Sequence, residues 1–299
     1  MFQIFTDTSA NIPTADCRAQ NIQVIPLYYY IDEEEHTCLD TDAFDGASYY
    51  AAIAGGKQVT TSQITPGHFV EAFEPHLAAG EDILYVAMAQ RISGSYDSAM
   101  NAAEMLAEKY PERQIAVINT KGAGLGEGIP TLEAARCRDA GMDFAQTVAQ
   151  VERCVRYIYQ IFTVDDLNYL GRTGRCSNFT AFFGSALNIK PLLKGSDDGV
   201  IVTFEKARGR KKAIKMIVEH YAEAVDHPEN QTIYISHANC PDDAEALAAQ
   251  LREAKAPREV RIIMHEPVTG AHIGPGSLAL FFISGHNRDT GKDDFGYWA

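Results

Sequence analysis

Two β-rich runs, Ile83-Leu84-Tyr85-Val86-Ala87 and Gln114-Ile115-Ala116-Val117-Ile118-Asn119, enclose a segment of helical period over 94–110, and this stretch decides the fold class. In the enclosed segment Ala99, Ala102, Ala103, Leu106 and Ala107 fall on one helix face, and small residues there suit close packing on a sheet. Strand, helix and strand in that order are the repeating unit of an α/β protein with a mainly parallel sheet. The same alternation continues toward the N-terminus, with strands at 2–5 and 23–30 and helices at 13–20, 41–54 and 66–79. After two helices at 124–139 and 143–158 the character changes. A strand at 159–164 opens a second half with strands near 200–205, 232–236, 259–264 and 278–284, separated by helices at 178–187, 209–225 and 241–253. A length of 299 residues fits two domains of about 150 residues each. The reading is two α/β domains: 1–158, with a mainly parallel sheet flanked by helices, and 159–299, with a mixed or antiparallel sheet. No Pro/Gly/Ser linker marks the boundary, so a broad interface between the domains is expected.

The chain carries 40 acidic and 26 basic side chains, a formal charge of −14, which argues against a general nucleic-acid binder. Residues 1–100 hold 14 of the acidic and 3 of the basic groups, so the front of the molecule is acidic. No apolar run approaches the ~20 residues of a spanning helix, and Met1-Phe2-Gln3-Ile4-Phe5 lacks a basic leader region. A cytoplasmic protein without a membrane segment is expected. The six cysteines at 17, 38, 137, 154, 176 and 240 form no CxxC pair, which points to free, mostly buried thiols in a reducing compartment.

Several familiar chemistries do not fit. Gly122, Gly124, Gly126 and Gly128 follow a strand but miss the GxGxxG spacing, and the chain has no GxxxxGK[ST], HExxH, EF-hand or GxSxG pattern. No catalytic residue, metal site or cofactor is assigned. What recurs is small hydroxyl residues after the strands: Thr6-Asp7-Thr8-Ser9, Ser93-Gly94-Ser95 and Thr120, with Thr60-Thr61-Ser62-Gln63 ahead of a helix. The carboxyl ends of strands in an open parallel sheet surround its ligand crevice. Each hydroxyl alone reads equally as a helix N-cap. As a set, with helix N-terminal N–H groups and no cluster of Lys or Arg, they suit one carboxylate better than a polyphosphate.

His272 lies in Gly270-Ala271-His272-Ile273-Gly274-Pro275-Gly276, a tight loop whose glycines would let backbone amides approach a ligand. Paired with Ser93, this histidine would make a nucleophilic dyad, the alternative reading as a serine hydrolase or acyltransferase. A short helical turn over 165–175 carries Arg172 and Arg175 among glycines and is assigned to a partner or to a transfer step rather than to the ligand. Lys206, Arg208, Arg210, Lys211, Lys212 and Lys215 put basic charge at a helix start, against the macrodipole, which suits an acidic partner or the acidic first domain.

In order and spacing, Thr6-Asp7-Thr8-Ser9-Ala10, Val24-Ile25-Pro26-Leu27, Thr61-Ser62-Gln63, Ile92-Ser93-Gly94-Ser95-Tyr96, the run from Asp166 to Arg175, Leu187-Asn188-Ile189-Lys190-Pro191 and the run from His272 to Gly276 resemble the DegV family of bacterial fatty-acid-binding proteins, which includes the lipid-presenting subunit of fatty acid kinase. The resemblance covers nearly the whole chain. It implies two α/β domains with one long-chain fatty acid buried between or within them and its carboxylate held by Thr61 and Ser93. It also places His272 near the head group, with Ser62, Gly94, Gly274 and Gly276 in supporting loops. The implied protein is a carrier without cofactor or catalysis of its own, and its partner is a fatty acid kinase that supplies the phosphate. Three positions depart from the family pattern. Ile64 stands where TSQP has proline, Ile273 where HTGPG has threonine, and Thr173-Gly174 where a glycine pair precedes the arginine. The Ile273 change removes a possible head-group hydroxyl.

Overall fold

A computed structural model describes residues 1–176 and 188–298. The helix expected at 178–187 lies outside the described residues. By their contacts the residues form two compact units, 1–44 with 59–155 and 45–58 with 156–299.

The chain opens with β1 (Phe2–Asp7), α1 (Thr14–Ala19), β2 (Ile22–Ile25), β3 (Tyr28–Ile31) and β4 (Glu34–Thr37). After α2 (Gly46–Ala54), which belongs to the second unit, come β5 (Val59–Ser62), α3 (Pro66–Ala78), β6 (Asp82–Ala87), α4 (Ser95–Lys109), β7 (Ile115–Asn119), α5 (Leu125–Asp139) and α6 (Phe144–Tyr157). The first unit is built on a parallel sheet of order β2-β1-β6-β7. A parallel sheet needs cover on both faces. Ile4, Leu84, Val86 and Ile118 pack with Ala134, Ala135 and Val151 of α5 and α6. Phe5 and Tyr85 instead meet Phe73 and Phe69 of α3, at ring-centroid distances of 4.9 Å in both pairs. On α4 the buried stripe is Ser95, Ser98, Ala99, Ala102 and Leu106, whereas Ala107 is exposed, so the contact face is rotated from the one the alanines suggest.

The single strand expected at 23–30 is two strands in different sheets. Pro26 has no N–H for a ladder, so β2 ends before it and β3 joins a separate antiparallel sheet of order β4-β3-β5. The helix expected from 41 starts at Gly46, because Asp45 caps it by accepting the Ser48 N–H at 3.0 Å.

The second unit continues with β8 (Ile158–Thr163), α7 (Asn168–Thr173), β9 (Ile189–Gly195), β10 (Ile201–Arg208), α8 (Arg210–Ala224), β11 (Thr232–His237), α9 (Pro241–Ala254), β12 (Glu259–Met264), α10 (Pro267–Ile273), β13 (Leu278–Ile283), β14 (His286–Asn287) and β15 (Lys292–Asp293). Its sheet has the order β10-β9-β8-β13-β11-β12 and is mixed, with β11 and β12 parallel and the other neighbours antiparallel. Ile214, Ile217 and Tyr221 of α8, with Leu247 and Leu251 of α9, bury against Ile161, Ile235, Leu280 and Phe282. The strand β9 has no counterpart in the sequence reading because Lys190, Pro191 and Lys194 spoil its alternation. Pro191 is tolerated because the pairing with β8 stops at Leu192. None of the six cysteines is disulfide-bonded among the described residues, and Cys17, Cys38, Cys137, Cys154 and Cys176 are buried while Cys240 is partly exposed.

Candidate functional site

In the first unit the residues around Ser93 are tied to the end of β5. The chain leaves β6 and turns at Ala89, whose carbonyl accepts the N–H groups of Ile92 and Ser93 at 2.9 and 3.1 Å. Ser95 N–H then donates to Ser93 Oγ at 3.2 Å, and Ser93 O–H donates to Ser95 Oγ at 3.0 Å. The second segment locks on through the Ile64 N–H, which donates to Ser95 Oγ at 3.1 Å, and through Gln63 Nε2, which donates to Ser98 Oγ at 3.2 Å. The approach is so close that a Cβ on Gly94 would lie 2.1 Å from Gln63 Oε1. Ile64, a departure from the family pattern, supplies an N–H that proline lacks. Pro66 instead opens α3 behind the Thr65 cap, where its missing N–H costs nothing.

Thr61 and Ser62 lie on a strand rather than in the loop expected for Ser62, and as neighbours they point to opposite faces of the sheet. Ser62 pairs with Tyr28, whose ring meets His68 of α3 at 5.6 Å, so Ser62 faces α3. Thr61 pairs with Tyr29, which stacks on His36, and so faces the other way. Thr61, Ser62 and Ser93 are all half-buried and keep access to a ligand.

The rim residues at the ends of β1 and β7 are turned inward. Thr6, Asp7, Thr8, Ser9 and Thr120 are buried. Thr6 Oγ1 and Ser9 Oγ each lie 2.8 Å from a carboxylate oxygen of Glu127, while Ser9 Oγ also bonds Asp7 and Thr120 O–H donates to the Ala87 carbonyl at 2.8 Å. These groups build the sheet's upper edge from within. Polar residues at strand ends read alike in the sequence whether they face the crevice or the core.

In the second unit His272 stands on the last turn of α10, not in a loop. Glu266 makes that helix, accepting the Thr269 and Val268 N–H groups at 2.6 Å each, with Pro267 in the first turn. Two tyrosines of α2 fasten it, Tyr49 O–H donating to the Pro267 carbonyl at 2.7 Å and Tyr50 O–H to the His265 carbonyl at 2.8 Å. Gly274 ends the helix at φ 76°, and Gly276 N–H donates to the Ala238 carbonyl at 2.7 Å. Burial first, and then the charge of Arg175, push the His272 imidazole down to about 4, so it is neutral near pH 7 and carries one N–H. Arg175 is half-buried and donates to the Thr173 carbonyl at 2.5 Å, whereas Arg172 is exposed and lies 4.9 Å over the Tyr169 ring. Asp165 braces the same loop, taking Lys190 Nζ at 2.6 Å. At the start of α8, Lys211, Lys212 and Lys215 are exposed, while Arg210 turns inward to Asp243 at 2.8 Å.

The structure thus joins the end of β5 to the Ser93–Ser95 turn through Gln63 and Ile64 in the first unit, and gathers Arg172, Arg175, His272, Gly274 and Gly276 in the second. Gln63 and Ser95, which the sequence reading placed at the rim, act as supports, and Tyr49, Tyr50 and Tyr169 are further supports that it did not single out. The Glu-Pro pair at 266–267 is a helix-start signal that would have revealed α10. Among the described residues no group of three or more His, Cys, Asp or Glu is placed to hold a metal ion, and no helix is long and apolar enough to cross a membrane.

Comparison with known proteins shows what the chain and its fold resemble. The sequence model described as "Uncharacterised protein, DegV family" matches residues 1–285. A DegV domain-containing protein of Clostridium perfringens is 36% identical over 282 residues, covering 94% of this chain and 97% of that protein. Among solved structures, a fatty acid binding DegV family protein from Streptococcus agalactiae is 29% identical with a TM-score of 0.83, covering 95% of this chain and 98% of the other. A DegV family protein from Ruminococcus gnavus, refined with vaccenic acid, is 27% identical with a TM-score of 0.83, covering 94% and 99%. Matched along nearly its whole length and in both units' folds, this chain belongs to the DegV family.

Proposed function

We propose that the protein binds one long-chain fatty acid and presents its carboxylate to a partner kinase that forms the acyl phosphate, without catalysing a reaction itself. The observation that carries this reading is the match in fold, over 94–95% of the chain, to relatives described as binding fatty acids. In the proposed site Thr61 donates a hydrogen bond to the carboxylate, and so does Ser93 when its O–H turns from Ser95 Oγ to the ligand. His272, neutral and with a single N–H, is the proposed third donor, and Ser62, Gly94, Gly274 and Gly276 shape the backbone around them.

The energetics favour such a ligand. Each buried methylene contributes about 0.8 kcal/mol, so a long acyl chain gains on the order of 10 kcal/mol before ordering costs. A carboxylate taken from water needs replacement hydrogen bonds, and half-buried hydroxyls held by their neighbours can give them at little ordering cost. The hydrolase alternative finds less support. The Ser93 hydroxyl donates to Ser95 Oγ, another hydroxyl, where an activated nucleophile would donate to a base.

Denaturing extraction of the purified protein followed by mass spectrometry tests the reading. The expected result is free fatty acid near one per chain. An empty protein that also ignores oleate and palmitate in a calorimetric titration would refute it.

A further inference from the structure

Two fully buried carboxyl groups meet inside the first unit without a cation. Asp7 ends β1 and Glu127 lies in the first turn of α5. The polar groups bonded to them are Thr6 from β1, Ser9 from the turn at 8–10 and Tyr85 from β6, with Thr131 of α5 reaching Thr6 at 3.4 Å. The titratable members are Asp7, Glu127 and Tyr85, and among the described residues no Lys, Arg or His bonds either carboxyl group.

The hydroxyl protons are too few for two carboxylates. Ser9 Oγ has one proton for two acceptors, Asp7 Oδ1 and Glu127 Oε2. Thr6 Oγ1 also has one, shared between the Val86 carbonyl at 3.1 Å and Glu127 Oε1 at 2.8 Å. Asp7 has donors of its own, the Ser9 N–H at 2.9 Å and the Tyr85 O–H at 2.7 Å. Glu127 has only help from the Asp7 backbone N–H beyond the two shared hydroxyls. A proton on Glu127, donated to Ser9 or Thr6, completes the count.

We propose that Asp7 and Glu127 keep one proton between them near neutral pH, held on Glu127, and that this proton is a lock joining α5 to β1 and its following turn. Loss of the proton at higher pH leaves two buried negative charges face to face and loosens the α5–β1 contact at the upper edge of the sheet. A cavity of about 20 Å³, enough for one water, is lined by Thr6, Asp7 and Thr8 and so lies at the Asp7 side of the pair. Burial raises the pKa of both groups, and Glu127, further raised by the charge of Asp7, stands well above the usual carboxyl range. An acid whose folded pKa is raised stabilises the fold at low pH, and that contribution falls as the pH climbs from the unfolded value toward the folded one.

Infrared spectroscopy at pH 7 reads the proton directly. The protein should show the C=O stretch of a protonated carboxylic acid that shifts when glutamate is labelled with 13C at its carboxyl group and disappears in Glu127→Gln. No such band, a band that ignores the label, or one that survives in Glu127→Gln would overturn the proposal. Pulse proteolysis in urea gives the second readout. From pH 6 to 8 the unfolding constant of the wild type should rise by up to tenfold per pH unit relative to Glu127→Gln, whose amide keeps a donor without a titration. Equal pH dependence in the two proteins would also overturn it. Should Glu127→Gln fail to fold, the labelled wild-type band decides alone.

Discussion

The ring of Tyr169 fills the space that a side chain on Gly274 would need: a Cβ there would lie 2.3 Å from Tyr169 Cδ2. Gly274 also sits at φ 76°, where an L side chain is strained. The helix that carries His272 therefore ends against α7, and no other residue fits the join.

Gly274→Ala should cost more than about 1 kcal/mol, from backbone strain and from the displaced ring together. Thermal unfolding should show a lower midpoint, and calorimetric titration with oleate a weakened affinity. The double variant Gly274→Ala/Tyr169→Ala should recover part of the affinity, because it removes the collision and keeps the strain. No recovery would mean that Tyr169 is not what positions the loop.

Ser95 and Ser93 should separate support from contact. Ser95→Ala removes the acceptor of both the Ile64 N–H and the Ser93 O–H, and an unsatisfied buried donor costs about 1–3 kcal/mol, so stability should fall. Ser93→Ala should leave stability nearly unchanged and weaken fatty-acid binding by roughly 1–3 kcal/mol, the range for a bond to a charged group. If the wild type instead forms a covalent adduct with a fluorophosphonate probe that Ser93→Ala abolishes, the hydrolase reading replaces the carrier.

The parallel order of the first sheet was legible because fully buried strands such as 83–87 read as unbroken apolar runs between helical segments. The break at Pro26 was legible in principle, as proline removes a ladder donor, whereas β9 was hidden by Lys190, Pro191 and Lys194. Among site residues, Ser93 and Gly94 stood out because small polar residues after a strand mark a helix start. The difference between Ser93, half-buried, and Ser9, fully buried, depends on Glu127, which is 118 residues distant in sequence from Ser9. Such a partner leaves no local trace. The same holds for Tyr49 and Tyr50, which reach over 200 positions to hold α10.

Acid should weaken the second unit through two histidines that desolvation keeps neutral, His265 fully buried and His272 partly so. His272 and His265 are pushed down to about 4 and about 3 by burial, from an ordinary value of 6.5. Both are neutral when folded and take up protons first in the unfolded chain, so their contribution is complete above pH 6.5 and falls as the pH drops below it. NMR of the His272 ring should give a midpoint near 4, and fatty-acid affinity should not change between pH 6 and 8 on account of this residue. A midpoint near 6.5 would show that His272 is not buried as described.

The two arginines of the 165–175 segment should differ in what they disturb. Arg172 is exposed and lies over the face of Tyr169, a place from which it can meet another protein. Arg175 is half-buried, and its charge is felt by His272. Phosphoryl transfer depends on neutralising charge at the acceptor, so under the proposed function Arg175, whose charge reaches His272, would serve the transfer and exposed Arg172 would serve the docking. If the proposed partner meets Arg172 through an acidic group, Arg172→Glu creates a like-charge contact there, which costs more than deletion. It should keep fatty-acid binding within a few fold and abolish kinase-dependent acyl-phosphate formation. Arg175→Glu should also stop acyl-phosphate formation, but it should in addition raise the His272 pKa, because a repulsive charge becomes an attractive one. If Arg172→Glu loses its lipid, or if Arg175→Glu leaves the His272 titration unmoved, the division of roles between the two arginines is wrong.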